Sequence, residues 1–139
     1  AVLNWAGANM QASRLSDTRW LLEDASTFVQ REARRERSYH GIILDPPAYG
    51  HGPKGEKWKL EDMINDLTAA VARILDPAHH FLVFNAYSLG FSPLVLQNLV
   101  HTHFGDIALK RLEAGEIYLQ EQSGRQLPAG IFARFRGSR

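Results

Sequence analysis

The 139 residues are 45% apolar and 22% charged, with a formal net charge of +1 and no cysteine. That length supports one domain with a real core and not two, and the near balance of charge excludes a protein that holds nucleic acid by a large positive field alone. Lack of cysteine removes disulfides, thiolate metal sites and a thiol nucleophile, while the absence of a signal-like start or of an apolar run near the roughly 18 to 20 residues of a membrane span predicts a soluble, cytoplasmic protein.

Taken in chain order, Leu3, Ala6 and Met10, with Val2 and Trp5 beside them, recur at helical spacing from the first residue. No capping signal precedes them, so the chain is expected to open inside something larger. Thr18 to Leu22 reads as a strand closed by Glu23 and Asp24. Asp24 suits the N-cap of a helix whose apolar face is Phe28, Val29 and Ala33 and which ends near Arg37. Arg31, Arg34, Arg35 and Arg37 complement the dipole at its carboxyl end.

Tyr39 to Leu44 reads as the next strand. Ile42, Ile43 and Leu44 form the short continuous apolar run expected of a strand buried on both faces of a mainly parallel sheet. Asp45 sits at its carboxyl end, where open α/β sheets bind their ligands. Pro46 and Pro47 fix φ and withdraw two backbone donors, which ends sheet pairing and presents Tyr49 beside the acid. Asp-Pro-Pro as a simple strand terminator is the competing reading of these residues alone.

His51 to Lys57 reads as a polar loop, broken by glycine and proline. A helix is predicted from near Trp58 or Lys59 to about Leu75, burying Leu60, Met63, Ile64, Leu67, Val71 and Leu75. His80 to Tyr87 forms an apolar strand. Ser92 then caps a helix that has Pro93 at its first position, carries Leu94, Leu96, Leu99 and Val100, and runs to about His103. Ile107 to Leu112, Glu116 to Gln120 and Gly130 to Phe135 read as strands, with Gly124 and Pro128 as breakers between them.

Helices and strands thus alternate before a terminal cluster of strands, which predicts an α/β fold with a parallel sheet and an antiparallel edge. The histidines lack metal-ligand spacing: His79 and His80 are adjacent, and His101 and His103 point to different faces of a helix. Trp5, Trp20 and Trp58 are expected to pack in the core or at sheet edges.

Four segments carry a family resemblance: Trp5-Ala6 with Asn9; Trp20-Leu-Leu-Glu-Asp-Ala25; Asp45-Pro-Pro-Ala-Tyr-Gly50 followed by Gly52-Pro-Lys-Gly-Glu56 and Trp58; and Asn85-Ala-Tyr-Ser-Leu-Gly-Phe-Ser92. The closing strands through Ile131-Phe-Ala-Arg-Phe135 also fit. Together they resemble class I S-adenosylmethionine-dependent methyltransferases, in which Asp-Pro-Pro and a following aromatic lie beside the transferred methyl group. The third segment is similar to the group related to the large-subunit ribosomal-RNA cytosine C5 enzymes.

The resemblance spans nearly all of this chain but only the later part of such a domain. It implies a partial Rossmann-like sheet with an antiparallel carboxyl-terminal hairpin, residues 1–139 being the carboxyl-terminal portion of one methyltransferase domain. The family's first two strands, its glycine-rich turn and its ribose-binding acid have no counterpart in the sequence. Such a chain alone is expected to bind cofactor weakly or not at all, and the Thr18–Leu22 strand, deprived of its neighbour, to associate, rearrange or disorder.

By position, the resemblance implies that Asp24 bonds the adenine amine of S-adenosylmethionine, the cofactor, while the backbone of Ala25 meets the ring edge and Asp45 and Pro47 border the same molecule. It implies catalytic roles for Asp45, Pro46, Tyr49 and Asn85. Lys54, Trp58 and Tyr87 would meet a substrate, expected to be RNA, ribosomal or transfer, whose extruded base a flat slot would read. For Asp24 a plain helix cap is the competing role, and for Lys54, Lys57 and Lys59 a solvated charge cluster is. Ala86 falls where the cytosine enzymes carry their cysteine nucleophile, so direct transfer to nitrogen or oxygen is favoured over ring-carbon chemistry. The alternative is a non-catalytic α/β module for partner binding or assembly.

Overall fold

A computed structural model of the chain describes residues 2–52, 55, 57–87, 90–105 and 111–138. In order the elements are α1 (Val2–Ala12), α2 (Ala25–Arg34), β1 (Gly41–Leu44), β2 (Tyr49–His51), β3 (Lys57–Lys59), α3 (Leu60–Ala72), β4 (His79–Ala86), α4 (Pro93–Phe104), β5 (Glu113–Gln120) and β6 (Gln126–Ser138). The main sheet has the order β1-β4-β6-β5, and β2 and β3 form a separate two-stranded ribbon. Strands β1 and β4 run parallel, with Leu44 beside Phe84, whereas β6 lies antiparallel between β4 and β5. The mixed α/β sheet, parallel at one side and closed by an antiparallel hairpin, is the predicted architecture.

Alternation along the strands decides where the core sits. In β4, His80, Leu82, Phe84 and Ala86 are buried, and in β6 so are Ile131, Ala133 and Phe135. These side chains share one face. Leu60, Ile64, Leu67 and Val71 of α3, Leu96, Val100 and Phe104 of α4, and Val29 of α2 cover that face in one cluster. Phe84 and Ala133 are cross-strand partners and both fully buried, the small residue leaving room for the ring. Within β6, next to its last pair with β4, Gly130 has φ +145°, and a Cβ there would stand 2.9 Å from the Ala86 carbonyl oxygen, so glycine is what lets the two strands approach.

On the other face of the sheet Ile43 is 69% exposed. This corrects the expectation that β1 is buried on both sides. An apolar run reports that a strand can be covered twice, but among the described residues helices pack on one face only, and β1 is an edge strand.

Several boundaries also differ from expectation. Residues 15–22 form no strand: a strand exists only through hydrogen bonds to a neighbour, and none of the described strands pairs with them. Helix α1 forms as predicted yet buries none of its residues. Trp5 is largely exposed and Trp20 partly so, against the expectation of packing, while Trp58 joins the edge of the core. The polar loop after Gly50 is in part the β2–β3 ribbon, so α3 begins only at Leu60, and it ends at Ala72. Ser92 occupies the N-cap of α4 with Pro93 behind it, although its hydroxyl makes no capping bond. Of the predicted strand at 107–112, residues 107–110 lie outside the described ones, and β5 begins at Glu113.

No helix among the described residues is long and apolar enough to cross a membrane.

Candidate active site

A cleft of about 700 Å³ opens beyond the carboxyl end of β1. Its walls include Asp24 and Ala25 at the start of α2, Asp45, Pro46 and Pro47 after β1, and Trp58 of the ribbon. Six of the residues singled out from the sequence are thereby brought together.

Asp24 is fixed by its helix. Its Oδ1 accepts the Thr27 backbone N–H at 2.7 Å, the bond expected of an N-cap, which satisfies one of the helix's orphan donors. The capping role is therefore real, and Oδ2 has no partner among the described residues. The preceding residue is held as well. Glu23 takes two hydrogen bonds from the Arg31 guanidinium, one of them at 2.8 Å, and this pairing holds Arg31 above its ordinary pKa. Arg31 also lies over the Phe28 ring, 5.4 Å from its centroid.

Beneath this turn Glu32 is nearly buried on the apolar side of α2. The Tyr39 hydroxyl donates to Glu32 Oε2 at 2.7 Å, and Arg35 and Arg31 stand at 3.3 Å and 3.7 Å from Oε1. The Tyr39 bond is the main cause that lowers the Glu32 pKa, with the arginine charges acting in the same direction. Burial is the main cause that raises Tyr39. Because Tyr39 leads into β1, the network ties α2 to the strand that ends in Asp45.

Asp45 and Asn85 follow the adjacent parallel partners Leu44 and Phe84, so both stand at the carboxyl end of the sheet. Asp45 is exposed and Pro46 is buried, anchoring the turn between them. Tyr39 pairs in turn with the segment before β4: its N–H donates to the Ile74 carbonyl at 2.8 Å and its carbonyl accepts from Asp76 at 2.9 Å. Asp76 starts β4 by accepting the backbone N–H groups of His79 and Ala78, which lower its pKa.

The ribbon forms one wall. Gly50 faces Trp58 across it, and the Trp58 indole N–H donates to the Pro47 carbonyl at 2.6 Å. A second bond, from the Leu60 N–H to the Ala48 carbonyl at 3.0 Å, closes its base.

Not every predicted site residue lines this cleft. Tyr49 pairs with Lys59 and is 66% exposed on the side of the ribbon opposite Gly50 and Trp58, because one residue along a strand reverses the side-chain direction. Asn85 and the exposed Tyr87 lie at and just past the end of β4 but do not line it either. Lys54 lies outside the described residues. Sequence reasoning overlooked Glu23, Arg31 and Glu32. Glu32 carried a signal, an acid one helical turn from Phe28 on the apolar face; the Glu23–Arg31 pair, reaching across the cap, carried none. Arg19, Trp20 and Leu21, predicted to pair as a strand, instead border a second cavity of about 500 Å³ with Phe28, Tyr39 and Ile42.

No protein-family model matches the sequence, and no curated protein matches it. Solved structures do. The chain is similar to the SAM-dependent methyltransferase from Agrobacterium tumefaciens, with 31% identity over 96% of this chain and 45% of that one and a TM-score of 0.80. It also superimposes on the proposed methyltransferase SMU.776 in complex with S-adenosylhomocysteine, at 16% identity over 92% of this chain and 34% of that one, with a TM-score of 0.64. A proposed SAM-dependent methyltransferase from Streptococcus mutans gives 12% identity, 94% and 34% coverage and a TM-score of 0.67. The chain thus spans less than half the length of each of these three structures, and its fold is theirs.

Proposed function

We propose that this chain is the carboxyl-terminal portion of an S-adenosylmethionine-dependent methyltransferase domain that methylates a nitrogen or oxygen of an RNA base. The observation that carries the reading is the cleft in which the Asp24-Ala25 turn meets Asp45-Pro46-Pro47 under Trp58. Its fit to the cofactor rests on donor chemistry. A carboxylate oxygen left free beside a helix cap suits the exocyclic amine of adenine, and the backbone of Ala25 suits the edge of the ring. The Agrobacterium likeness, at 31% identity, supports the same cofactor. When bound, S-adenosylmethionine supplies an activated methyl group.

The chain's own part is to position and to polarise. Asp45, on the rigid end of β1, accepts a hydrogen bond from the target amine or hydroxyl and so orients its lone pair. Asn85 stands on the neighbouring strand end at the same edge of the sheet, outside the lining of the cleft. Pro46 and Pro47 contribute no N–H, leaving a smooth wall for a flat base. Position 86 is a buried alanine and this chain carries no cysteine, which favours direct transfer to nitrogen or oxygen over a covalent route through a ring carbon.

Edge strand β1, which carries the exposed Ile43, is the surface where further sheet of the same domain, or a second copy, would pair. Calorimetric titration of S-adenosylhomocysteine into this chain and into the full-length protein tests the proposal. Binding by the full-length protein that is lost in Asp24→Ala supports it. No binding by either favours a non-catalytic module.

A further inference from the structure

We infer that the outer face of the β2–β3 ribbon docks single-stranded RNA, holding its phosphates while a nucleotide enters the cleft behind. This rests on the RNA reading above and locates where the RNA lies. In an antiparallel ribbon, directly paired residues share a side and alternate residues repeat it. The register Tyr49↔Lys59 and His51↔Lys57 therefore puts one aromatic, two lysines and a histidine on one face, and all four are exposed. Gly50 and Trp58 occupy the other face, toward the cleft.

Three features point to a nucleic acid. The lysines are two residues apart, so both reach the same side and can meet neighbouring phosphates. Tyr49, 66% exposed among these cations, offers a flat surface for a base. One carboxylate beside them, Asp62, stands 3.9 Å from Lys59, and both side chains are more than half exposed; such a pair is weak and yields readily to a phosphate. A net charge of only +1 over the chain makes this local concentration the more telling. An acidic peptide would use the lysines but has little use for a stacking ring.

The ribbon is also held in register with the site. Trp58 is tied to the Pro47 carbonyl at 2.6 Å, and Leu60 to the Ala48 carbonyl at 3.0 Å, so the charged face and the Asp45-Pro46-Pro47 turn form one unit. A strand held outside thus has its neighbouring nucleotide at the cleft mouth, where His51 and Gly52 form the rim.

The test measures, on the full-length protein, the fluorescence anisotropy of a labelled mixed-sequence single-stranded RNA decamer over a range of potassium chloride, with S-adenosylhomocysteine calorimetry in parallel. In the double variant Lys57→Gln, Lys59→Gln two phosphate contacts are lost, so the slope of log K against log salt should fall by roughly 1.4 and affinity at low salt on the order of tenfold or more. Tyr49→Ser should weaken RNA binding roughly 5- to 100-fold but leave binding of inorganic polyphosphate, which has no bases, unchanged. Wild-type affinity and slope in the lysine variant would overturn the docking face while leaving RNA as substrate. Polyglutamate bound as tightly as RNA would overturn it in favour of an acidic protein. RNA binding absent from the wild type, with S-adenosylhomocysteine still bound, would overturn docking face and RNA substrate together. Lysine-dependent RNA binding without S-adenosylhomocysteine binding would support the face and refute the cofactor site.

Discussion

Replacing Trp58 with phenylalanine removes the bond that sets the ribbon over the cleft. A six-membered aromatic ring stays in place, with some loss of packing, and the indole N–H that donates to the Pro47 carbonyl at 2.6 Å is removed. A neutral hydrogen bond contributes about 0.5 to 1.5 kcal/mol net, and because Pro47 is exposed, water can take over its carbonyl, which places the part of the loss due to the bond at about 0.5 to 1 kcal/mol. That would be minor in a core strand. It matters here because the ribbon has only three residue pairs, and a two-stranded ribbon is marginal without outside support. The effect should therefore be local. Amide hydrogen exchange of residues 49–51 and 57–59 should accelerate about two- to fivefold, while β4 and β6 exchange as before. Unchanged exchange in the ribbon would refute the anchoring role. An equal acceleration in β4 and β6 would show that Trp58 supports the whole domain rather than the ribbon.

Phe84→Ala should cost about 3 to 5 kcal/mol in urea denaturation, since the ring is fully buried and sits opposite the equally buried Ala133, so that little can move into the space; a loss below about 1.5 kcal/mol would contradict that packing. Asp24→Ala should lose about 1 kcal/mol of stability through the cap, whereas Asp24→Ser keeps a capping oxygen and most of that stability. Both should lose affinity for S-adenosylhomocysteine, and retained affinity in the serine variant would reduce Asp24 to a cap. Acid should weaken the fold through Glu32 and Asp76, whose folded pKa values lie below their unfolded ones: the stability they add is complete above about pH 4.3 and is lost as the pH falls from there through the depressed folded values. Tyr39→Phe removes the main cause of the Glu32 shift, so denaturation curves from pH 7 to pH 3 should start lower and decline less steeply than in the wild type.

The elements that were readable from sequence are those whose pattern and partners lie close together. Helices α2, α3 and α4 announced themselves by apolar spacing, α2 and α4 also by Asp24 and Ser92-Pro93 at their starts, and β4 by an apolar run that its neighbours on both sides bring into the sheet. Asp45 was legible because strand, acid and prolines are consecutive. Thr18 to Leu22 shows the limit: its composition suits a strand, but strand formation is a property of a pair, and no described strand pairs with it. The ribbon failed in the opposite direction. Tyr-Gly-His and Lys-Trp-Lys have no apolar alternation, and what joins them is the Trp58 bond to Pro47, visible only once the chain has folded back. For the same reason Tyr49 was assigned to the cleft by proximity in sequence, and pairing turned it outward.

Asp24 and Asp45, which both line the cleft, are positioned by separate means, and this determines what can disturb them. Asp24 depends on the start of α2, held by its own cap and by the Glu23–Arg31 pair. Asp45 depends on β1, held by β4 and by the buried Pro46. What relates one to the other is the contact between α2 and the layer formed by β1 and α3, carried by Val29, Leu67 and the bond from Tyr39 to Glu32. Leu67 is 3% exposed and borders both the cleft and the second cavity, so it is the side chain through which packing in that layer reaches the site. The spacing of the cleft's polar groups is thus an outcome of core packing, which is close-packed and yields little to small forces. A ligand held by both carboxylates would in turn tie α2 to β1 and stabilise that layer by mass action, more than it stabilises the β5–β6 hairpin on the far side of the sheet.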